Sequence, residues 1–590
     1  MRQTGAEESF EERARLDARI AFAVATFASA YGLVALLDRV GAPERLVALL
    51  SPYFTVVALA GLGFLLHSMR VSFYYAASRA APASYAGLAT TAIMMGLAAP
   101  FAARLSGHSS PGAVLAGFLL GLTAIAASVG PLLRKTGAFS LTELLAARFA
   151  SVEPRLGMIA VAAVSSAIVA LAGYQTAVDA LVGFTGSGRP FAAFLIGAAI
   201  LLIAGPGGVG GVVWSACAAA GVMLAGFALP QAALVAQDVA VALPILGDEA
   251  LWREATALIE KWGLAGAGSA ADYATALGIA LGVATLAPAL TPSVATRDVP
   301  AARRAGFAAL VWTLVAAALV AATIAASALA LSRAAIGRTP ERLPDAIYQA
   351  SGRGLLQICG ARADRPASAR AACLARDLAP GAPLRPQDLS VRAEYLIGGL
   401  PQLARLGAAF TGLIASGLIA VGLVLAAASL HACAAAVGHD ALYRLRSESA
   451  LTSRRLAITR VALVGVTALG SATSAANAID ARTLVGLALA VSAAGLVPIL
   501  GLVFVTRAQE KDAMAAQLIG VATMAGILFV DPGPTAVGAL AWAGFAGALS
   551  GFLAGVLSAR LWSQETPESV AFVRRLLRGD GKVLREDKGA

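Results

Sequence analysis

Residues 84–100 read SYAGLATTAIMMGLAAP, an apolar stretch in which a glycine is followed four residues later by a proline. Residues 272–292 read DYATALGIALGVATLAPALTP, and this stretch carries two prolines near its end. Proline lacks a backbone donor and clashes with the preceding turn of a helix. Both stretches are therefore predicted to be membrane helices that break inside the bilayer. A simple kink, with neighbouring helices filling in, is the alternative for each.

Apolar runs of this kind fill the chain. Its 590 residues are 58% hydrophobic and 13% charged, whereas about a quarter of the residues in a soluble domain are charged. Because a bilayer core needs about 20 apolar residues per helix, the sequence predicts an all-α polytopic membrane protein with about 14 spans. The predicted spans are 20–37, 53–69, 84–103, 112–132, 157–182, 190–206, 211–233, 272–292, 306–332, 406–437, 457–476, 483–505, 515–531 and 535–558.

The two interrupted stretches each begin a set of five predicted spans. Sets with an odd number of spans cross the membrane in opposite directions, which is typical of inverted-topology repeats. The sequence therefore predicts two inverted repeats with additional helices at both ends. The segments are a cytoplasmic N-terminal segment (1–19), two accessory helices (20–69), the first repeat (84–233), an external loop (234–271), the second repeat (272–505), two C-terminal helices (515–558) and a basic tail (559–590).

The formal charge of +11 bears on topology. In a soluble protein it would suggest a nucleic-acid partner, but basic residues near membrane spans mark the cytoplasmic side. We therefore expect a lipid bilayer around the protein, no nucleic-acid partner and both termini in the cytoplasm. The tail, with Arg574, Arg575 and Arg578, is expected near the inner headgroups. High alanine, glycine and arginine content fits a bacterial inner membrane protein.

Two external segments are more than linkers. Residues 240–262 combine apolar and charged residues at helical spacing, which predicts an interfacial helix on the membrane surface. The long loop 333–405 is predicted to form a partly ordered cap. It contains Cys359 and Cys373, which form either a disulfide or two free thiols, depending on the compartment that the loop faces.

Most catalytic chemistry is missing from the sequence. It contains no phosphate-binding loop of the GxxxxGK[ST] type, no cysteine and histidine cluster with metal spacing and no catalytic triad. We therefore expect neither an enzyme nor a resident cofactor. Among charged or titratable residues inside spans, His431 is either a proton relay or a neutral histidine that is hydrogen-bonded within the bundle. Asp179 is close enough to a helix end to be solvated.

Several segments together resemble the sodium:solute symporter family, and within it the branch of cation:acetate symporters. The matching segments are FYYAASRAAP (73–82), LLRKTGAFSLTELLAARF (132–149), GGVGGVVWSACAAA (207–220), the stretch from AEYLIGG at Ala393 to HDALYR at 439–444, and AVSAAGLVPILGL around Pro498. The resemblance covers roughly residues 53–531. It implies a LeuT-like fold of inverted five-helix repeats, with a solute held at the middle of the bilayer and, usually, sodium-driven uptake.

The resemblance also implies where the site residues lie. Substrate-binding positions fall on the first core helix, at Thr90, Thr91, Gly96, Leu97, Ala98 and Ala99. The cation site falls on the backbone oxygens of Ala92, Met95 and Val421 and on the side chains at Val424 and Leu425. Because those last two side chains lack the expected hydroxyl groups, the sodium site is degenerate. The sequence leaves altered, proton-based or absent coupling open.

The function that follows is a symporter-type permease for a small organic solute, such as the short monocarboxylate acetate. An anionic solute would be held by the positive end of a half-helix beside Gly96 and Pro100. The alternative is a transporter-like membrane sensor or assembly partner that no longer transports. Expected partners are the solute and the lipid bilayer, with a small membrane subunit as a further candidate. The expected cofactor set is empty apart from sodium, which the degenerate site disfavours.

Overall fold

The computed structural model describes residues 2–103, 110–236, 248–264, 270–443, 452–476, 480–530 and 537–578. Most of these residues are helical, and twelve of the helices are long and apolar enough to cross a membrane. A further span consists of two helices that meet at a bend of 48°. One of the twelve long helices folds back on itself and counts as two spans, so the described residues agree with the predicted number of about 14.

The first repeat follows two accessory helices, α1 (Arg2–Arg39) and α2 (Glu44–Leu65), and a short helix, α3 (Val71–Ala76). Below, the inner side is the side of the bundle that holds α3, which the sequence predicts to be cytoplasmic. The first repeat consists of α4 (Ala83–Ala103), α5 (Pro111–Ala124) continued through a π-helical turn (Ile125–Val129) into α6 (Gly130–Thr136), the short helix α7 (Leu141–Ala146), α8 (Val152–Thr185) and α9 (Arg189–Val235).

The 47 residues of α9 form two antiparallel spans joined at Gly208. Gly208 has a φ of +54° and a ψ of −139°, a conformation that favours glycine. A side chain on Gly211 would collide with the carbonyl oxygen of Ile203, although eight residues of straight helix would separate them by about 12 Å. The glycine-rich segment 205–211 is therefore a tight inner turn between the predicted spans 190–206 and 211–233.

The second repeat begins with the bent pair α11 (Ala270–Thr285) and α12 (Ala287–Val294). It continues with α13 (Val299–Ala335), α18 (Ala408–Ala435), which extends as a π-helix over Ala436–Tyr443, α19 (Thr452–Ala476) and α20 (Ala481–Leu502). Most residues of α18 are buried, because α2, α4, α8 and α9 surround it. This helix is the centre of the bundle.

An ordered cap lies on the outer side between α13 and α18. It contains α14 (Asp345–Gly352), a two-stranded antiparallel sheet of β1 (Leu356–Ile358) and β2 (Leu389–Val391), α15 (Pro366–Leu374), α16 (Ala393–Gly398) and α17 (Leu400–Leu403). Cys359 and Cys373 are joined as a disulfide. The segment is therefore more ordered than predicted, since its apolar residues share one core with the bundle.

The predicted helix in this loop is present as α10 (Glu249–Lys261), and residues 240–247 of the predicted segment lie outside the described residues. Its location on the membrane surface stays a prediction. Its apolar side packs on α13, and the indole nitrogen of Trp262 donates a hydrogen bond of 3.1 Å to the Pro386 carbonyl of the cap. Ala255 and Leu258 are buried, so the helix packs its apolar face against the protein and contacts both α13 and the cap.

Three helices end the described chain, α21 (Glu510–Val530), α22 (Val537–Trp562) and the amphipathic α23 (Pro567–Leu577). The last is tied to the first repeat by Lys135, whose ammonium group donates to the carbonyls of Leu576 and Arg578. The neighbouring Arg134 donates to the carbonyls of Thr296 (2.8 Å) and Arg297 (2.6 Å), just beyond α12. Two adjacent cations thus bind the ends of two different helices, where the carbonyl groups carry negative charge.

Candidate functional site

The predicted break in the first core helix is wrong. Residues Ala83–Ala103 form one α-helix, and it includes Pro100. A side chain on Gly96 would lie 2.6 Å from the carbonyl oxygen of Val421 and 2.9 Å from Cβ of Leu425. Glycine here therefore lets α4 and α18 pack in direct contact, and there is no half-helix end beside Gly96 to hold an anion.

The positions that the resemblance assigned to a cation do come together. Ala92 and Met95 lie on α4, and Val421, Val424 and Leu425 lie on the helix packed against it; all but Met95 are buried. In a continuous helix the carbonyls of Ala92 and Met95 already accept bonds from the residues four positions later. Val424 and Leu425 offer no side-chain oxygen. Among the described residues, no group of three or more His, Cys, Asp or Glu is placed to hold a metal ion.

The predicted substrate-binding hydroxyls are engaged within the protein. Thr90 donates to the carbonyl of Ala86 at 2.9 Å, and Thr91 donates to those of Gly87 (3.1 Å) and Ala309 (3.3 Å). Leu97 is fully buried, while Ala98 and Ala99 are half-buried. These residues pack α4 against the neighbouring helices.

The break in the second repeat is real. Between α11 and α12, Leu286 has extended backbone angles, with φ −71° and ψ 120°. Thr285 caps the broken end, because its hydroxyl donates to the carbonyl of Gly282 at 3.4 Å and lies 2.9 Å from the hydroxyl of Ser492 on α20. Pro288 falls in the first turn of α12, where its missing N–H costs no helical hydrogen bond.

Beneath this break lies a cavity of about 60 Å³, on the inner half of the bundle. It is bounded by residues of both repeats, and its volume is enough for about two water molecules. Ala287 and Leu290 of α12 form its upper wall. Its polar lining consists of Tyr75, Ser140, Thr142, Thr285, Thr291, His431, His439 and Asp440.

A buried carboxylate organises the floor of the cavity. Asp440 accepts hydrogen bonds from the hydroxyls of Thr142 (2.6 Å) and Ser140 (2.9 Å), and its other oxygen lies 2.7 Å from Nδ1 of His439. Asp440 stands in the π-helical extension of α18, while Ser140 and Thr142 begin α7. The carboxylate therefore joins the first repeat to the second, at a sequence separation of about 300 residues.

Aromatic rings close the remaining side. The His431 ring packs edge-on to Tyr74, with ring centroids 5.1 Å apart, and Tyr75 packs against His439 at 4.8 Å. The guanidinium group of Arg460 lies 5.4 Å above the Tyr74 ring. Burial raises the pKa of the Tyr74 phenol far above its ordinary value, and the nearby Arg460 only partly offsets this. Tyr74 is thus neutral at any physiological pH.

Sequence reasoning identified His431 but missed the Asp440 cluster and the Thr285–Ser492 pair. The HDALYR segment contained Asp440, but the residues that hydrogen-bond to it lie in the distant LLRKTGAFSLTELLAARF segment. Neither ring nitrogen of His431 has a hydrogen-bond partner among the described residues, so the neutral, internally bonded histidine is wrong, whereas the proton relay stays a prediction. Asp179 forms an ion pair of 2.7 Å with Arg189, and its carboxylate is half exposed.

Together, the helices define an integral membrane protein with a LeuT-like fold, in which two five-helix repeats are preceded by two accessory helices and followed by two C-terminal spans. The fold matches the structure of a Na⁺-coupled sialic acid symporter in its substrate-bound, outward-open state, with a TM-score of 0.63 and 16% identity, over 89% of this chain and 99% of that one. This match supports the fold alone.

Two other solved structures are less similar to this chain. One is to Mhp1, a nucleobase-cation-symport-1 family transporter, in a closed conformation (TM-score 0.46, 14% identity, 86% of this chain and 100% of that one). The other is to a manganese transporter mutant from Eremococcus coleocola (TM-score 0.37, 15% identity, 89% and 96%). No family model and no curated protein sequence matches the chain.

Proposed function

We propose that this protein is a secondary active transporter that carries a small organic solute across a bacterial inner membrane, with both termini in the cytoplasm. The observation that supports it is the broken span α11–α12 above a polar cavity shared by both repeats. Interrupted helices at the interface between repeats are where transporters of this architecture bind their cargo. An enzymatic reaction is not proposed.

A short monocarboxylate such as acetate is the first candidate solute. The N-terminus of α12 at Ala287 borders the cavity, and the N-terminal end of a helix carries partial positive charge. The hydroxyls of Thr285 and Thr291 stand at the same wall. We propose that the carboxylate of the solute binds at the N-terminus of this half-helix, which replaces the half-helix predicted at Gly96.

Sodium is not proposed as the coupling ion, although the resemblance to the sodium:solute symporter family would imply it. A sodium ion must exchange its water shell for several protein oxygens. Next to Val424 and Leu425 lies the unbroken helix α4, and at Gly96 the two helices touch without a gap. A cation at this position would have to separate two helices that are in direct contact.

Uptake of radiolabelled acetate, propionate and lactate into proteoliposomes tests the proposal. Wild-type protein should accumulate at least one of these acids, and replacing external sodium with choline should not change the initial rate. Uptake that falls on sodium removal would contradict the coupling part. The acetate-like specificity fails if only solutes without a carboxylate are carried.

The packing of α4 against α18 favours a second candidate function, a transporter-like sensor or assembly partner. That contact fills the place where the resemblance expects a solute. The absence of any uptake from a panel of organic acids, sugars and amino acids, by protein that remains monodisperse, would favour this function over transport.

A further inference from the structure

We propose that the cavity beneath the helix break is a proton-binding site, with the His431 imidazole as the proton acceptor. This inference rests on the proposed transport function only in its second part, which makes the proton the coupling ion. The first part concerns the histidine itself. It stands on the geometry of the cavity and holds whether or not a solute is carried.

The first observation is an unpartnered polar side chain. His431 is almost fully buried at 3% exposure, and neither ring nitrogen has a hydrogen-bond partner within the described chain. A buried polar group without a partner costs roughly 1–3 kcal/mol. Titratable residues at such depth in membrane proteins usually belong to an ion or proton path. The ring lines the cavity, so water in that space is its available partner.

The second observation is the set of groups that would stabilise a charged imidazolium. The electron-rich face of an aromatic ring attracts a cation, and Tyr74 lies within 5.1 Å of the His431 ring, centroid to centroid. A carboxylate borders the same cavity at Asp440, and two hydroxyls donate to it. Water in the cavity would connect the imidazolium to the carboxylate.

Other charged groups nearby have their own partners. Asp440 contacts His439 on the same helical extension, Glu143 of α7 accepts from the Phe139 backbone at 2.7 Å, and Arg460 of α19 donates to the carbonyls of Gly205 and Ser68. The phenols of Tyr74 and Tyr75 on α3 and the hydroxyl of Thr291 on α12 complete the titratable and polar surroundings. The positive charge of Arg460 opposes the proton, whereas the negative charge of Asp440 favours it.

The chemical step is a simple proton transfer. A hydronium ion in the cavity gives its proton to the lone pair of one His431 nitrogen, which leaves a water molecule and an imidazolium. The proton returns to water when the cavity opens to the other side. Because α12 forms the upper wall and α3 with α7 the floor, charging His431 biases the contacts that hold the two repeats together on the inner side.

Nuclear magnetic resonance tests the first part directly, since the chain has four histidines. Protein labelled with ¹⁵N-histidine in lipid nanodiscs should show the His431 ring nitrogens titrating between about pH 4 and about pH 8. His431→Gln identifies the signals by their loss. Asp440→Asn should lower the midpoint, because it removes the favourable negative charge. Imidazole shifts that stay constant over this range would overturn the proton site.

Proteoliposome uptake tests the second part. With one proton carried per solute, a gradient of one pH unit should raise accumulation by about tenfold. His431→Phe keeps a ring against Tyr74 but should abolish that stimulation. His67→Gln, at an exposed histidine, should retain it. Uptake that ignores the pH gradient in wild-type protein would refute proton coupling. No uptake at all would instead refute transport, and the titration would still decide whether His431 binds a proton.

Discussion

The helices that begin the two repeats, α4 and α11–α12, occupy equivalent places and carry prolines, yet only the second is broken. A broken helix frees several N–H and C=O groups that need partners. At the second helix those partners exist, because Thr285 and Ser492 supply hydroxyls at the gap. Helix α18, which faces α4, has the apolar side chains of Val424 and Leu425 at this place and no hydroxyl groups. Gly96 lets the two helices pack closely.

Proline therefore permits a break in these helices but does not cause one. Pro288 lies in the first turn of a new helix, whereas Pro100 lies within a helix that continues for three more described residues. Loss of one hydrogen bond near the end of α4 is tolerated, since the contact with α18 holds the helix in place. The polarity of the neighbouring helix decides whether the chain opens.

The largest effect is expected where α4 touches α18. Gly96→Ala places a methyl group 2.6 Å from the Val421 carbonyl and should lower the free energy of unfolding by about 3 kcal/mol. Gly221→Ala on α9, which has open space around it, is the matched control and should be neutral or stabilising. Unfolding in mixed detergent micelles measures both. Equal effects would show that the contact is loose.

The prolines give the next largest contrast. Pro100→Ala should stabilise the protein by about 2 kcal/mol, because it restores a hydrogen bond within a helix. Pro288→Ala should change the stability little, since the first turn of a helix does not use that N–H. The same unfolding measurement applies. A large gain from Pro288→Ala would mean that the break is imposed by proline rather than by its polar surroundings.

A smaller difference in stability is expected between variants that remove a hydroxyl from each of the two helices. Thr285→Val removes the bond to Ser492 and should cost about 1 kcal/mol. Thr90→Val removes a bond to the Ala86 carbonyl inside a continuous helix, and it should cost only a few tenths of that because the carbonyl keeps its helical donor. If both variants lose the same stability, the hydroxyl at the gap has no special role.

The smallest expected response concerns sodium. The double substitution Val424→Ser and Leu425→Thr places hydroxyls at the degenerate cation site, but α4 keeps its carbonyls in helical bonds. Hydroxyls of this kind bond to the preceding turn, as Ser429 does with the Leu425 carbonyl at 2.7 Å. We therefore expect no sodium dependence of uptake or of thermal stability. A clear sodium response would mean that α4 opens readily.

Much of the fold could be predicted from the sequence. Apolar runs of bilayer length located the spans, because lipid tolerates little else, and the gap between the predicted spans 190–206 and 211–233 marked the turn inside α9. The cap was harder. Its order depends on a disulfide and on contacts such as that of Trp262 with the Pro386 carbonyl, 124 residues apart in sequence.

The site was only partly predictable. His431 stood out as a titratable residue within an apolar run. Its surroundings did not, because Thr142 and Asp440 meet only through the packing of two repeats. The break at α4 was predicted wrongly for a similar reason. Whether a proline opens a helix depends on the residues of α18 facing it, and these lie more than 300 positions further along the chain.

The neighbouring cations Arg134 and Lys135 have a mechanical consequence. One binds the residues just after α12, and the other binds the last turn of α23. If α12 tilts to open the cavity while these hydrogen bonds persist, α23 must move with it. A pair of spin labels, one on that segment and one on the disulfide-bonded cap, would then register each opening as a change in distance.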